Sequence, residues 1–257
     1  MQTEGVPIAI VAAHPDDEIL GLGVLLPLLE SPCVIVHVTD GAPRSGDDAR
    51  NAGCATWQEY AALRRHEFER ALAAAGASGA ITYCLDCPDQ QAVFRIADHA
   101  ERLAAIFDKF RPSGVFTHAY EGGHPDHDAT AVAVHAALFR LKTPPTLTEF
   151  AGYHAGAAGI ECECFLENGA NVLQRPLNSE ESHWKRELLN CYASQSRTLA
   201  QFPLRHEPLR LAPRYDFALP PHKGTLYYDR FDWGVRSTEW RKLVWCAFRD
   251  LGIPCVC

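Results

Sequence analysis

Two short stretches concentrate the residue types that do chemistry. His14-Pro15-Asp16-Asp17-Glu18 holds one imidazole and three carboxylates, and His124-Pro125-Asp126-His127-Asp128 holds two of each. Burying charge is costly unless it is paired or bound to a metal, so this density marks a site. His14 and Asp17 are three apart, as are His124 and His127, and on a helical turn each pair projects to one side. A histidine, a carboxylate and a second histidine make a three-ligand zinc site with a fourth position open to water. The pKa of that water falls to about 7. One acid then remains to take its proton, and one histidine to donate to a leaving group, which is the equipment for metal-assisted hydrolysis. Spacing alone leaves open which of His124 and His127 is the ligand. The same set also suits iron(II), although the spare base favours hydrolysis. Helix capping would explain one acid per turn, but not two histidines and two further acids.

These turns need rigid elements to bring them together. Pro7–Ala12 is a brief, unbroken apolar run, which predicts a buried parallel strand. The helix after it is expected from Ile19 to Leu26. Gly114–Tyr120 is a second such strand, followed by a helix from Ala129 to about Leu141. Between them the pattern predicts a strand at Cys33–Thr39 and a turn at Asp40–Pro43. The loop Arg44–Ala55 is either a lid or a surface loop. A helix is expected over Trp57–Ala75, ended by Gly76, with Arg64–Glu67 facing solvent by default. A strand over Ile81–Leu85, a loop over Asp86–Gln91 and a helix over Ala92–Phe110 complete this half.

Strands alternating with helices predict an α/β, Rossmann-like, doubly wound and mostly parallel sheet. Ligands of such sheets bind at the carboxyl ends of the strands. In the common strand order the first strand lies beside the fourth, which sets the two clusters side by side. A dinucleotide is not expected, because Gly21-Leu22-Gly23 falls inside the helix, too late to cradle a pyrophosphate. Later in the chain, strands are expected at Leu147–His154 and Cys162–Leu166, with an edge hairpin around Gly156–Gly159. A helix capped by Asn178 with Glu181 should run to about Leu199, and a last helix lies near Ser237–Leu251. The chain reads as one domain, 1–257: a core over 1–142 and a mixed C-terminal extension over 143–257 that completes sheet and pocket.

Composition narrows the function. The 257 residues are 47% hydrophobic, enough for a large core, and the net charge is −8. With no basic stripe, nucleic acid is not an expected partner; a neutral sugar or a cation is compatible. No apolar run is long enough to span a membrane, and the start lacks a secretory pattern. The ten cysteines include Cys84/Cys87, Cys162/Cys164 and Cys255/Cys257. Their spacings do not match as zinc-finger pairs do. They read as reduced core residues of a cytoplasmic protein, with the final pair frayed and reactive. Of the remaining histidines, each expected at the surface or satisfied in the core, His118 and His154 lie nearest the expected site. The aromatic-rich end, including Trp233, Trp240, Trp245, Tyr227 and Tyr228, covers the pocket, forms a subunit interface of a homo-oligomer, or packs as a C-terminal lobe.

At these residues the chain resembles the PIG-L/LmbE-type deacetylases. The likeness is carried by Ala13-His14-Pro15-Asp16-Asp17-Glu18 and His124-Pro125-Asp126-His127, and extends loosely through the first half and to Ser194-Gln195. The resemblance implies a Rossmann-like fold and a divalent metal, usually zinc, on His14, Asp17 and His127. It implies removal of acetyl from the amino group of an N-acetylglucosamine-type small molecule. It makes Asp16 the general base. His124 becomes the protonated partner that stabilises the oxyanion and protonates the departing amine, with Asp126 holding it charged. Some relatives place a tyrosine two residues before the first histidine of the second motif. Here that position is Gly122, and Tyr120 is the candidate to reach over the Gly-Gly turn. Arg64 and Glu67 sit where relatives carry an arginine and a glutamate beside the pocket. Asp40 and Asp89, at strand ends, are placed to bind sugar hydroxyls. The competing readings are a metallohydrolase for another amide or ester bond and a non-catalytic carbohydrate-binding protein.

Overall fold

The computed structural model describes residues 5–29, 32–157, 159–166 and 171–254; the Cys255/Cys257 pair lies outside them. In chain order the elements are β1 (Ile8–Ala12), α1 (Asp17–Leu22), β2 (Cys33–Pro43), α2 (Asp47–Asn51), α3 (Trp57–Ala74) and β3 (Ile81–Asp89). Then come α4 (Ile96–Phe110), β4 (Gly114–His118), α5 (Pro125–Phe139), β5 (Thr146–Phe150), β6 (Tyr153–Gly156) and β7 (Gly159–Cys162). The chain continues with β8 (Val172–Pro176), α6 (Ser179–Leu189), α7 (Ser196–Leu199), β9 (His206–Leu211) and α8 (Ser237–Leu251).

Seven strands form one sheet in the order β3-β2-β1-β4-β5-β9-β8, and β6 and β7 form a separate hairpin. β3, β2, β1, β4 and β5 are parallel, while β9 and β8 add antiparallel at the β5 edge. The sheet is therefore α/β and doubly wound, as its alternation predicts. Successive side chains of a strand point to opposite faces, and both faces here are covered. Ala9 and Val11 of β1 join a core layer with α4, α5 and α8. Ile10 joins the opposite layer with Phe68, Phe150 and Leu188. β1 pairs with β4 in the register Ile8↔Gly114 through Val11↔Thr117. The turns after these two strands therefore emerge next to each other.

The structure departs from the sequence reading in length more than in kind. Asp40–Pro43 is not a turn, because β2 runs on through it, and β3 likewise continues to Asp89. The two extensions pair with each other, Thr39↔Cys87 and Pro43↔Asp89, across register shifts. α1 is shorter than expected and gives way to a 3-10 turn at Leu26–Leu28. The loop over 44–55 contains α2. The Asn178–Glu181 capping box is present, but its helix ends at Leu189. β8 and β9 were not expected. Among the described residues, no helix is long and apolar enough to cross a membrane, and all eight described cysteines are free thiols.

α1 sits close on the sheet because of Gly21. A Cβ there would stand 2.5 Å from the buried Phe150 ring. Gly21→Ala should therefore destabilise the fold by about 1–3 kcal/mol through overpacking, read as a lower denaturation midpoint with an unchanged m-value.

Candidate active site

The turn from β1 into α1 is held in an unusual backbone conformation. Asp16 has φ of 131°, a region that non-glycine residues enter only when their surroundings enforce it. The enforcing group is Glu18, which is fully buried. Its Oε2 accepts the Asp16 N–H at 3.1 Å and lies 2.9 Å from His37 Nε2, while Oε1 accepts the Tyr192 hydroxyl. Arg64 closes the turn from α3. Its guanidinium donates to the Pro15 carbonyl at 2.5 Å and to Asp16 Oδ2 at 3.1 Å. Arg64 and Glu67 are thus buried rather than solvent-facing, and Glu67 accepts from the Ser194 N–H and hydroxyl at 2.8 and 2.6 Å. Burial pushes the Asp16 carboxyl up, against the opposing pull of Arg64.

Asp17 lies between two histidines. Its Oδ2 is 3.2 Å from His14 Nδ1, and its Oδ1 is 3.3 Å from His127 Nε2. His14, His124 and His127 each present a ring nitrogen within 4.8 Å of the others. Asp17, His118 and His127 form an overlapping set. His118 Nε2, however, already accepts the Ala13 N–H at 2.9 Å, so that lone pair is taken. His118 instead stacks on His127, with centroids 4.1 Å apart at 14°, and backs that ring. Burial and His127 push His118 down to about 4, in keeping with a neutral ring.

The second turn places its residues differently from expectation. His124 caps α5, and its Nδ1 accepts the Asp126 N–H at 3.1 Å. An accepting Nδ1 means a neutral ring with the proton on Nε2, and burial followed by His14 lowers its pKa accordingly. Asp126 does not hold His124 in a charged form. Its carboxylate faces the other way, accepting from Gln90 N at 2.5 Å and Ala92 N at 2.9 Å, 3.3 Å from His14 Nε2. By pinning the turn after β3, Asp126 sets Asp89 at the cluster. Asp89 Oδ1 is 3.0 Å from His14 Nε2 and 3.9 Å from His124 Nε2. Asp89 is therefore the carboxylate on the His124 side.

Tyr120 is not at the cluster. Its hydroxyl donates to the Leu219 carbonyl at 2.8 Å, and its ring packs among Tyr215, Phe217 and Trp240. Tyr120→Phe should cost about 1 kcal/mol of stability and leave turnover within about twofold, as paired denaturation and rate measurements would show. The aromatic groups that do flank the site come from elsewhere. Tyr153 sets its ring 5.4 Å from His127, and Trp233 lies 4.6 Å from His124. Part of the aromatic-rich end therefore walls the cluster, while Tyr228 and Trp240 are buried in the core and Trp245 is exposed. Asp40 also lies apart. It accepts from Arg44 Nη2 at 2.6 Å and lines a depression of about 450 Å³ with Pro15, His37 and Trp57.

The donor set suits a divalent cation. His14, Asp16, Asp17, His124 and His127 are each only 4–7% exposed. Asp17, Asp89 and Asp126 converge on the histidines, and the neighbouring Asp16 is paired with the Arg64 guanidinium. Imidazole nitrogens and a carboxylate at this range match a three-ligand zinc-type centre.

Among solved structures, the A40926 pseudoaglycone deacetylase aligns with a TM-score of 0.61 at 18% identity, over 82% of this chain and 99% of its own. The N,N'-diacetylchitobiose deacetylase of Pyrococcus horikoshii aligns with 0.60 at 20%, over 81% and 84%. The 4-carboxy-2-hydroxymuconate hydratase GalB of Pseudomonas putida aligns with 0.52 at 17%, over 81% and 97%. At these identities what is shared is the fold, and one fold carries several reactions. No curated protein sequence matches the chain. The PIG-L family, described as GlcNAc-PI de-N-acetylase, matches residues 9–138. That match covers half of the chain and contains both His/Asp turns, so this chain belongs to the PIG-L family.

Proposed function

We propose that this chain is a metal-dependent N-deacetylase for an N-acetylglucosamine-type sugar or conjugate, with His14, Asp17 and His127 holding a divalent ion, zinc or iron(II). Residues 1–257 are read as one catalytic domain, working in the cytoplasm. The observation that carries this is Asp16: a buried carboxylate beside Asp17, gripped by Arg64 and by a strained turn, and in none of the His/Asp groups close enough to share a metal ion. A carboxylate kept free of the ligand set, and pushed up by burial, is suited to accept a proton from the attacking water. When bound, the ion would polarise the amide carbonyl and the attacking water. His124 carries its proton on Nε2 and donates it as a hydrogen bond to the developing oxyanion. Because Nδ1 of His124 is engaged with the Asp126 N–H, Asp16 returns the proton to the departing amine. Asp89, beside His14 and His124, accepts hydrogen bonds from sugar hydroxyls, and Arg64 acts by positioning Asp16.

The test is acetate release from a panel of N-acetylglucosamine conjugates by the zinc-loaded chain. Stoichiometric acetate and free amine from one or more members are expected. Metal-loaded protein that releases no acetate from any member would move the reading to another bond, such as the hydration carried by the same fold.

A further inference from the structure

A second group of metal-ligating side chains lies on the β6–β7 hairpin, outside the catalytic cluster. His154 of β6 and Glu161 of β7 are directly opposed in the antiparallel register, so both side chains stand on one face of the hairpin. Tyr153 and Cys162, the neighbouring pair, point to the other face, where Tyr153 meets His127. Simple alternation would put Cys164 on the Cys162 face as well. Glu163 breaks the alternation with φ of 58°, and its carboxylate is anchored by the Arg205 and His206 N–H groups at 2.9 and 3.1 Å. The kink turns Cys164 back, and its Sγ stands 3.7 Å from His154 Nε2.

The ligand atoms of His154, Glu161 and Cys164 all lie within 4.8 Å of one another. His154 Nδ1 is 3.2 Å from the Ala155 carbonyl. A carbonyl only accepts, so the proton is on Nδ1 and the Nε2 lone pair faces the thiol. This tautomer, fixed by a backbone carbonyl, is the one metal-binding histidines adopt. Glu161 folds back over Gly156, where a Cβ would come within 2.4 Å of its side chain. His154 is buried, while Glu161 reaches solvent, so an open position faces water.

We propose that His154, Glu161 and Cys164 form a second metal site, for a borderline divalent ion of the zinc class. A nitrogen, an oxygen and a sulfur donor match the ligand preferences of such ions. The bound ion clamps the hairpin whose other face walls His127. This assignment stands independently of the reaction at the first cluster.

The catalytic set contains no thiol, so cobalt distinguishes the two sites. The full chain is stripped with chelator and titrated with Co2+ while the thiolate-to-cobalt charge-transfer band is followed in the near ultraviolet. The band should saturate at one Co2+ per chain, persist in Asp17→Asn, and vanish in Cys164→Ser and His154→Ala. Glu161→Gln, an exposed change that leaves the far-ultraviolet dichroism intact, should weaken the midpoint by about tenfold or more. Absence of a thiolate band at saturating Co2+, its survival in Cys164→Ser, or an unmoved midpoint in Glu161→Gln would overturn the site.

Discussion

Asp16→Asn is expected to lower deacetylation by about 10²–10⁴-fold, the usual worth of a positioned general base, while metal content stays at the wild-type level. Asparagine keeps the size of the side chain and can still accept from Arg64, whose bond to the Pro15 carbonyl is untouched. What is lost is the capacity to take a proton. Activity and metal stoichiometry measured on the same preparation separate this from a ligand defect. Asp17→Asn, by contrast, should lose metal and activity together. An Asp16→Asn enzyme within tenfold of wild type would remove Asp16 from the mechanism.

Glu18→Ala should have the largest effect on stability, about 3–5 kcal/mol, because it strips partners from a buried polar group at three points. The Asp16 N–H, His37 and the Tyr192 hydroxyl all meet this carboxylate. The same change releases the Asp16 backbone from its strained conformation, so turnover should collapse even below the unfolding transition. Glu18→Gln keeps an oxygen for Asp16 and His37 and turns its amide to Tyr192, whose hydroxyl can accept. It should recover most of the stability. Denaturant midpoints and turnover of both variants check this, and an Ala variant within 1 kcal/mol of wild type would show that the turn holds itself.

How much of this was legible in the sequence follows from the range of each interaction. The buried strands were readable because Ile8–Ala12 and Gly114–His118 are short apolar runs, and their adjacency follows from parallel topology. The spacing of His14 to Asp17 and of His124 to His127 is local, and so was readable too. The extensions of β2 and β3 were not, because Asp40-Gly41-Ala42-Pro43 and Asp86-Cys87-Pro88-Asp89 have turn-like composition and become strand only by pairing with each other. The direction of the Asp126 carboxylate was equally hidden. Its partners Gln90 and Ala92 are over thirty residues away, and nothing local distinguishes facing them from facing His124. His37 and Tyr192 were invisible as supports of Asp16, since a lone histidine in an apolar strand and a tyrosine inside an expected helix carry no signal of their own. Tyr153 belonged to a stretch read as one strand, Leu147–His154. The break at Ala151-Gly152 is what turns its ring toward His127.

On the proposed function, His14, Asp17 and His127 bind a divalent ion beside Asp16. Anomalous diffraction at the zinc edge, on crystals of the zinc-loaded chain, tests it most directly. A peak about 2.0–2.2 Å from one nitrogen of His14, one nitrogen of His127 and an Asp17 oxygen, with His118, His124 and the Asp16 carboxylate outside bonding distance, is the predicted result. A peak bonded to His118 or His124 in place of His14, or no peak among these residues with zinc bound elsewhere, would contradict it.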